Sequence, residues 1–448
     1  MKMLRSHFPS PLAETAAVVF AAFMATAVLA SLEADLTGGW PDQRAMLNNN
    51  GNNSNDNSNS NNRQPDSCGL KRPSVYWTTA NERIDVGCVR GIFPYSVWDP
   101  FRIQLAYYVF DRADQQLPSR VLSWNHSFAQ HDHGDEEELE NEQEQNLFVK
   151  GQLRVAVIVH GFTESANSSW VRAITGAYFK HVSATPLSSS SSSNLWVINV
   201  EWSRGAAGAQ RLWRRDYVQA AANVPMVARI TAEFLTRLMK RYFVTERQLY
   251  LIGHSLGAHV VGETARWLHR KHGIMPGRVT ALEPAAPLFR WRGTPLNRRD
   301  THFLEVIHTS AALSLTATLW GAVGLSGALG DVDLYPNGGV LYQPACRKKN
   351  TFFCSHNRGR KYYTDMLARC TSRCDFSATR CKDEAEATQK RCSGTRFAKV
   401  CAYLDWKASL DLRQRARSSN RSAEAATSTK PDVLYFDTDS DQVSIECR

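Results

Sequence analysis

An α/β fold with a doubly wound, mostly parallel sheet is predicted by three observations. Short continuous apolar runs recur along the chain, stretches of helical periodicity separate them, and one Gly-x-Ser-x-Gly turn joins a run to a helix-forming stretch. Residues 155–159 (VAVIV) and 195–200 (LWVINV) are the first two runs. Their lack of alternation suits strands covered on both faces. Val224, Val227, Ile230, Phe234, Leu235 and Leu238 then recur at helical spacing, giving an amphipathic helix that ends before Arg241. Residues 249–252 form the next strand, a helix runs from about 257 to 269, and residues 279–282 and 303–307 supply two more strands. Strand and helix in repetition imply parallel neighbours joined by crossovers.

A chain of 448 residues accommodates one large α/β domain or two ordinary ones. The net charge of +10 favours an anionic partner. A phospholipid surface and a nucleic acid both qualify, but zinc-finger spacing, a basic zipper and an aromatic RNA-binding signature are all missing. A solvated basic surface with no partner is the plain alternative. Lys2 and Arg5 precede an apolar run at 16–30, and Ala30 before Ser31 suits peptidase cleavage. Residues 1–30 are therefore expected to be a secretory signal, since the run is short for a membrane span. No later stretch reads as a span, so a soluble, secreted mature chain is expected.

Ten cysteines then suit five disulfides. Zinc is the competing reading, but the crowd at Cys370, Cys374, Cys381, Cys392 and Cys401 lacks paired C-x-x-C units. Asn52, Asn125, Asn167 and Asn420 each begin an N-x-S sequon, a pattern that also arises by chance. The Asn-rich run 48–62, the acidic run 131–145 and the serine run 188–193 read as solvated insertions. The expected organisation is a signal at 1–30, a disordered segment at 31–73 and one hydrolase domain at 74–448.

Gly253-His254-Ser255-Leu256-Gly257 follows an apolar strand and precedes a helix, the setting of the nucleophile elbow in the α/β-hydrolase fold. So tight a turn has no room for side chains two residues either side of the serine, hence glycine at both places. His160-Gly161-Phe162 follows the strand at 155–159, where the first half of an oxyanion hole belongs. The N–H groups of Phe162 and Leu256 are the candidate donors. A serine needs a base, and the base needs an acid to orient it. In the order Ser, acid, His, Glu283 follows the strand at 279–282, and His356 lies in Cys354-Ser355-His356. Taken singly, each of these motifs also suits an ordinary turn or a structural histidine.

Together these motifs resemble the pancreatic lipase family of animals, and within it the insect lipases and phospholipases A1. The matching pieces are VHGF from Val159, NVEW from Asn199, GHSLGAH from Gly253, LEPA from Leu282, VIHT from Val306, YPNGG from Tyr335 and CSH from Cys354. They occur in family order over roughly residues 85–400. The resemblance implies a triad of Ser255, the acid at 283 and His356, with Phe162 and Leu256 as the oxyanion hole. It also implies that Cys346 pairs with Cys354 at the base of a lid, and that Cys381 and Cys392 match a family disulfide.

Four departures from the family pattern bear on function. The acid is Glu283 where aspartate is usual, one methylene longer. Only 92 residues follow His356, so a C-terminal lipid-binding β-sandwich is not expected. Seven residues, Arg347 to Phe353, separate Cys346 from Cys354. So short a lid resembles the phospholipases A1, whereas the long stretch 310–330 resembles the triglyceride lipases. The lid covers the site directly and carries the expectation of a phospholipid or other single polar-headed lipid. Phe352 and Phe353 are then placed to dip into a bilayer, with Arg347, Lys348 and Lys349 at phosphate head groups. Acidic residues of the family's calcium site are mostly missing around 296–300, so no metal or other cofactor is expected.

The resulting expectation is a secreted carboxyl-ester hydrolase acting on glycerolipids through an acyl-enzyme on Ser255. Its partners would be a lipid ester and, peripherally, a lipid surface, with no nucleic acid. The alternative from another class is a weak or silent lipid-binding protein of the same fold, like the family's yolk proteins; the substituted acid is its best support.

Overall fold

The computed structural model describes residues 75–92, 95–112, 114–128, 153–184, 195–207, 213–313, 322–341, 343–346, 353–370, 374–375, 377–392, 397–404, 431–439, 442–443 and 446–447. The leader at 1–30, the segment 31–73, the acidic and serine runs, and the sequons at Asn52 and Asn420 lie outside the described residues.

Among the described residues, eleven strands form one sheet. In chain order they are β1 (Ala106–Phe110), β2 (Arg120–Ser123), β3 (Arg154–Val159), β4 (Leu195–Glu201), β5 (Leu249–His254), β6 (Arg278–Leu282), β7 (Leu304–Ile307), β8 (Val332–Pro336), β9 (Ser377–Cys381), β10 (Phe397–Lys399) and β11 (Asp432–Phe436). Across the sheet the order is β10-β9-β11-β8-β7-β6-β5-β3-β4-β1-β2. The seven strands from β11 to β4 are parallel. Antiparallel pairs close both edges. Four helices matter below: α1 (Ser169–Ala184), α2 (Trp213–Tyr242), α3 (Leu256–His272) and α4 (Arg358–Arg369).

The apolar runs read from the sequence are buried on both faces. In β3, Val155, Val157 and Val159 join a core with Phe234, Leu235 and Leu268 of α2 and α3. Ala156 and Ile158 point the other way, into a core with Ile174, Tyr178, Tyr363 and Met366 of α1 and α4. Two helical layers therefore sandwich the sheet, the predicted doubly wound arrangement. The predicted strands and the two predicted helices all occur; α2 begins earlier than its apolar spacing alone indicates and runs past the expected end before Arg241 to Tyr242, and α3 extends beyond the expected 257–269 at both ends. Strands β1, β2 and β8 to β11 and helices α1 and α4 were not anticipated. β8 carries Asp333 inside its run and ends in proline, β9 is polar (SATRC) and β10 has only three residues, so none reads as a continuous apolar segment.

The chain leaves β3 for β4 on one side and returns to β5 on the other. In open α/β sheets a crevice opens beyond the carboxyl ends of strands at such a reversal. Three disulfides, Cys346–Cys354, Cys370–Cys401 and Cys381–Cys392, lie among the described residues. The first and third are pairings implied by the family resemblance.

Phe234 of α2 is fully buried and stacks on Tyr107 of β1 with ring centroids 3.8 Å apart. Phe234→Ala is expected to lower unfolding free energy by about 3–5 kcal/mol, because the cavity cannot close over so large a deletion. Urea denaturation of the purified protein checks this, and a loss below about 1 kcal/mol would contradict the packing described.

Candidate active site

The turn after β5 is held in a backbone conformation that ordinary residues avoid. Ser255 has φ 57° and ψ −118°, between the end of β5 and the first residue of α3. Non-glycine residues rarely adopt positive φ and do so at an energetic cost. A β-carbon at Gly253 would overlap the carbonyl of Gly257, and one at Gly257 would overlap the carbonyl of Val159 at the end of β3. One at Gly161 would stand 2.9 Å from Cβ of Ser255. These glycines let the β3 loop and the β5–α3 turn touch at the reversal of strand order.

The loop after β3 is fixed by buried polar contacts. His160 Nδ1 lies 3.0 Å from the Gly161 carbonyl, and its Nε2 accepts the Trp202 N–H at 3.3 Å. Burial lowers the His160 pKa against the opposing pull of Glu201, which keeps the ring neutral, as this bonding requires. Phe162 follows at the turn. Leu256 opens α3, where first-turn N–H groups have no acceptor within the helix.

His356 Nε2 lies 2.9 Å from Ser255 Oγ, so the predicted serine and histidine share a hydrogen bond although 101 residues apart. Beside them is a cavity of about 150 Å³. Its apolar lining comes from Phe162, Tyr217, Ala285, Pro287, Val323 and Phe353. Ser255 is only 8% exposed.

Glu283, at φ 47°, is fully buried. Its Oε1 accepts the Ser310 N–H at 2.8 Å and the Ser310 hydroxyl at 2.7 Å. Its Oε2 accepts the Thr309 N–H and, at 2.9 Å, the Thr309 hydroxyl. His356 Nδ1 is 3.8 Å from Oε1, an ion-pair separation beyond hydrogen-bond length. Burial alone would raise the Glu283 pKa, but His356, His308 and Ser310 outweigh it and hold the group below its ordinary value as a carboxylate. The longer side chain finds room at Gly324, where a β-carbon would overlap Oε1.

Several supporting residues were not anticipated. Glu164 Oε2 accepts the Gly161 N–H at 3.0 Å and lies 3.5 Å from His254 Nδ1. Its Oε1 accepts Trp170 Nε1–H at 3.0 Å and pairs with Arg360. Burial opposes the charge on Glu164, but His254, Arg360 and the Gly161 N–H keep it well below the usual carboxylate range. His254 Nε2 in turn lies 3.4 Å from the His356 carbonyl. Gln343 Nε2 donates to the carbonyls of Thr309 and Pro336, and its own N–H bonds Ser355 Oγ, tying the acid's loop to the histidine's. Asn337, from the YPNGG motif, donates to Gln343 Oε1 at 2.8 Å and to Thr438. The only advance signal for Glu164 was its place three residues after the His-Gly turn.

The Cys346–Cys354 bond ends two residues before His356, and Phe353 beside it lines the cavity. Arg347, Lys348, Lys349 and Phe352 lie outside the described residues, as do residues 314–321 of the long 310–330 stretch. The described part of that stretch folds inward: the Ala286 N–H donates to the Val323 carbonyl at 2.7 Å, and the Gly324 N–H to that of Ser310 at 3.1 Å. Among the described residues there is no group of three or more His, Cys, Asp or Glu that could hold a metal ion.

Comparison with known proteins gives the chain's relatives. The family model described as Lipase matches residues 109–421. Pancreatic triacylglycerol lipase of Homo sapiens is 31% identical over 260 residues, covering 52% of this chain and 50% of its own. Inactive pancreatic lipase-related protein 1 of Canis lupus familiaris is 31% identical over 230 residues, covering 47% and 43%. The chain spans about half the length of the curated relatives it matches. Among solved structures, the dienelactone hydrolase of Anabaena variabilis ATCC 29413 is 11% identical with a TM-score of 0.24, covering 38% of this chain and 67% of its own.

The fit between Glu283 and Gly324 has a measurable consequence. Gly324→Ala alone is expected to cost at least about 2 kcal/mol of stability, as overpacking against a buried group does. Combined with Glu283→Asp, which withdraws the carboxylate by one methylene, the loss should be partly relieved, with a coupling of about 1 kcal/mol or more. A double-mutant cycle by chemical denaturation measures it; strict additivity would mean that the two residues do not share this space.

Proposed function

Because the chain belongs to the Lipase family, matched over residues 109–421, we propose that it hydrolyses carboxyl esters of glycerolipids through a covalent acyl-enzyme on Ser255. One observation carries the reading: Ser255 Oγ is 2.9 Å from His356 Nε2 in a strained turn beside an apolar cavity. As Ser255 Oγ attacks the ester carbonyl, its proton passes to His356 Nε2. The tetrahedral oxyanion is stabilised by the N–H groups of Phe162 and Leu256. The C–O bond then breaks, and His356 returns the proton to the departing alcohol. Water, deprotonated by His356, releases the fatty acid and regenerates the serine.

Glu283 is the orienting acid in this reading. Its 3.8 Å separation from Nδ1 suits an unliganded site, since such contacts tighten in the reacting complex. Glu164 and Gln343 hold the oxyanion loop and the histidine loop as positioning residues. Three disulfides among the described residues support an oxidising compartment and hence secretion. No helix of the described residues is long and apolar enough to cross a membrane. We assign residues 1–30 as a signal and the chain from 74 as one hydrolase domain.

A second reading, a catalytically silent lipid binder, is favoured by one observation: the four hydrogen bonds that hold the Glu283 carboxylate come from Thr309 and Ser310. Reaction with a serine-directed phosphonate separates the two. The enzyme reading expects rapid labelling of the parent. It expects none in Ser255→Ala and a loss of several orders of magnitude in ester turnover for Ser255→Ala and Glu283→Gln. An unlabelled, inactive parent would establish the silent reading.

For substrate, the seven-residue lid loop supports a phospholipid or another single polar-headed lipid over emulsified triglyceride. Phosphatidylcholine vesicles are expected to be hydrolysed about tenfold faster than triolein emulsion, a difference of about 1.4 kcal/mol in barrier. Preference for triolein with a sharp rise above its solubility limit would overturn this.

A further inference from the structure

His160, His259 and His308 are all fully buried, but their hydrogen-bond partners differ in kind. His160 faces one acceptor, the Gly161 carbonyl, and one donor, the Trp202 N–H. His259 has the Ala285 carbonyl 2.7 Å from Nε2 and the Thr294 hydroxyl, which can donate, 3.2 Å from Nδ1. A neutral imidazole carries one N–H and one lone pair, so either set suits it. Burial lowers the pKa of both rings accordingly, that of His259 to about 3.

His308, directly after β7, has acceptors on both sides. Its Nδ1 lies 3.1 Å from the Leu325 carbonyl, and its Nε2 lies 2.9 Å from Asp333 Oδ1. Asp333, itself without exposure, also accepts the Leu329 N–H at 3.0 Å and the Gly330 N–H at 2.8 Å. Two backbone donors favour its ionised form, which can only accept. A neutral His308 would satisfy one partner and set a bare lone pair against the other. A doubly protonated ring donates to both. Three carboxylates act on it: Asp333 of β8, Glu283 after β6, and Glu384 of the short helix Glu384–Thr388. Tyr335 of β8 stacks against the ring with centroids 4.5 Å apart. Burial works to lower the His308 pKa, but Asp333, then Glu283 and Glu384, outweigh it and raise the value.

The Leu325 carbonyl belongs to a segment threaded past the acid. The Leu325 N–H donates to the Pro284 carbonyl at 2.8 Å, beside Glu283 in the chain. Gly324 stands against Glu283 Oε1, and Val323 lines the cavity at Ser255. One ring thus joins Asp333 to the wall that borders both the acid and the cavity.

We propose that His308 is a buried imidazolium that positions the acid of the site. Its two N–H groups clamp residues 323–325 to Asp333, and its charge holds the Glu283 carboxylate ionised. The second half rests on the reading of Glu283 as the orienting acid of an ester-cleaving triad. His308 touches neither substrate nor reacting atoms; it acts through Glu283 and through the wall that Val323 ends.

Ring nitrogen-15 spectra of the histidine-labelled protein read the charge directly. The parent is expected to keep at least one histidine with both ring nitrogens protonated at about pH 8, where an ordinary histidine is neutral. Such a signal should vanish in His308→Gln and take the neutral pattern in Asp333→Asn; either variant suffices if the other does not fold. No such histidine in the parent, or a set of such signals unchanged in a folded variant, would overturn the assignment.

The pH profile of kcat/KM on a soluble short-chain ester reads the positioning role. Without the cation, Glu283 takes up its proton at higher pH, so activity is lost sooner as pH falls. The acid limb should therefore move up by roughly one pH unit in His308→Gln, the order a neighbouring unit charge exerts at an effective dielectric near 20. It should move by less in Asp333→Asn, which loses an anion along with the cation. A lower plateau with the limb unmoved would mean packing alone, and the positioning role falls. If the parent turns over no ester, the triad reading fails, while the spectra still decide the charge on His308.

Discussion

The structure depends on how closely two chain segments meet where the strand order reverses. The carboxyl end of β3 and the turn after β5 touch through backbone alone, because Gly257 carries no side chain against the Val159 carbonyl. From that contact follow the left-handed conformation of Ser255, the seat of Gly161 above it, and the start of α3 directly behind it. A parallel sheet buried on both faces makes such rigidity possible, since neither strand end can retreat without exposing core. Strain of this kind persists only where the surroundings over-determine it.

A second constraint is electrostatic. Glu283 is a carboxylate with no exposure, and an uncompensated charge there would cost several kcal/mol. Thr309 and Ser310 compensate it with two backbone and two hydroxyl donors. They follow directly on β7 and His308. The His308 ring is itself buried, 2.9 Å from Asp333. Burial works to lower the His308 pKa, but Asp333 and, less strongly, Glu283 outweigh it and raise the value above the ordinary one. The acid is therefore held first by the sheet and only second by His356. Gln343 links the Thr309 carbonyl to Ser355, so the acid's loop and the histidine's are hydrogen-bonded through one side chain.

What was legible in the sequence follows from this physics. Buried parallel strands demand uninterrupted apolar runs, so β3 to β7 could be read directly. The elbow demands two glycines, so Ser255 and its neighbours could be read too. The short strands β9 and β10, at one end of the sheet, are held by pairing and left no comparable trace; β11 does carry an apolar run, 433–436, which went unread because it returns to the sheet far from the strands it joins. Glu164 was illegible because its four partners come from three separated segments. Gly324 was illegible for a related reason. It stands 41 residues after Glu283, in a stretch that drew attention only for its length, yet it makes room for the longer acid.

The bond between Cys346 and Cys354 closes a ring of few residues, so its entropic effect on the whole fold is smaller than that of a long loop. Its effect is local: it fixes the chain two residues before His356. Neither the sheet nor the two cores described above depends on it directly, whereas Phe353 and Ser355 stand on either side of Cys354. The short ring thus acts as a local brace on the stretch that carries His356, where a disulfide closing a long loop would instead act on the whole fold.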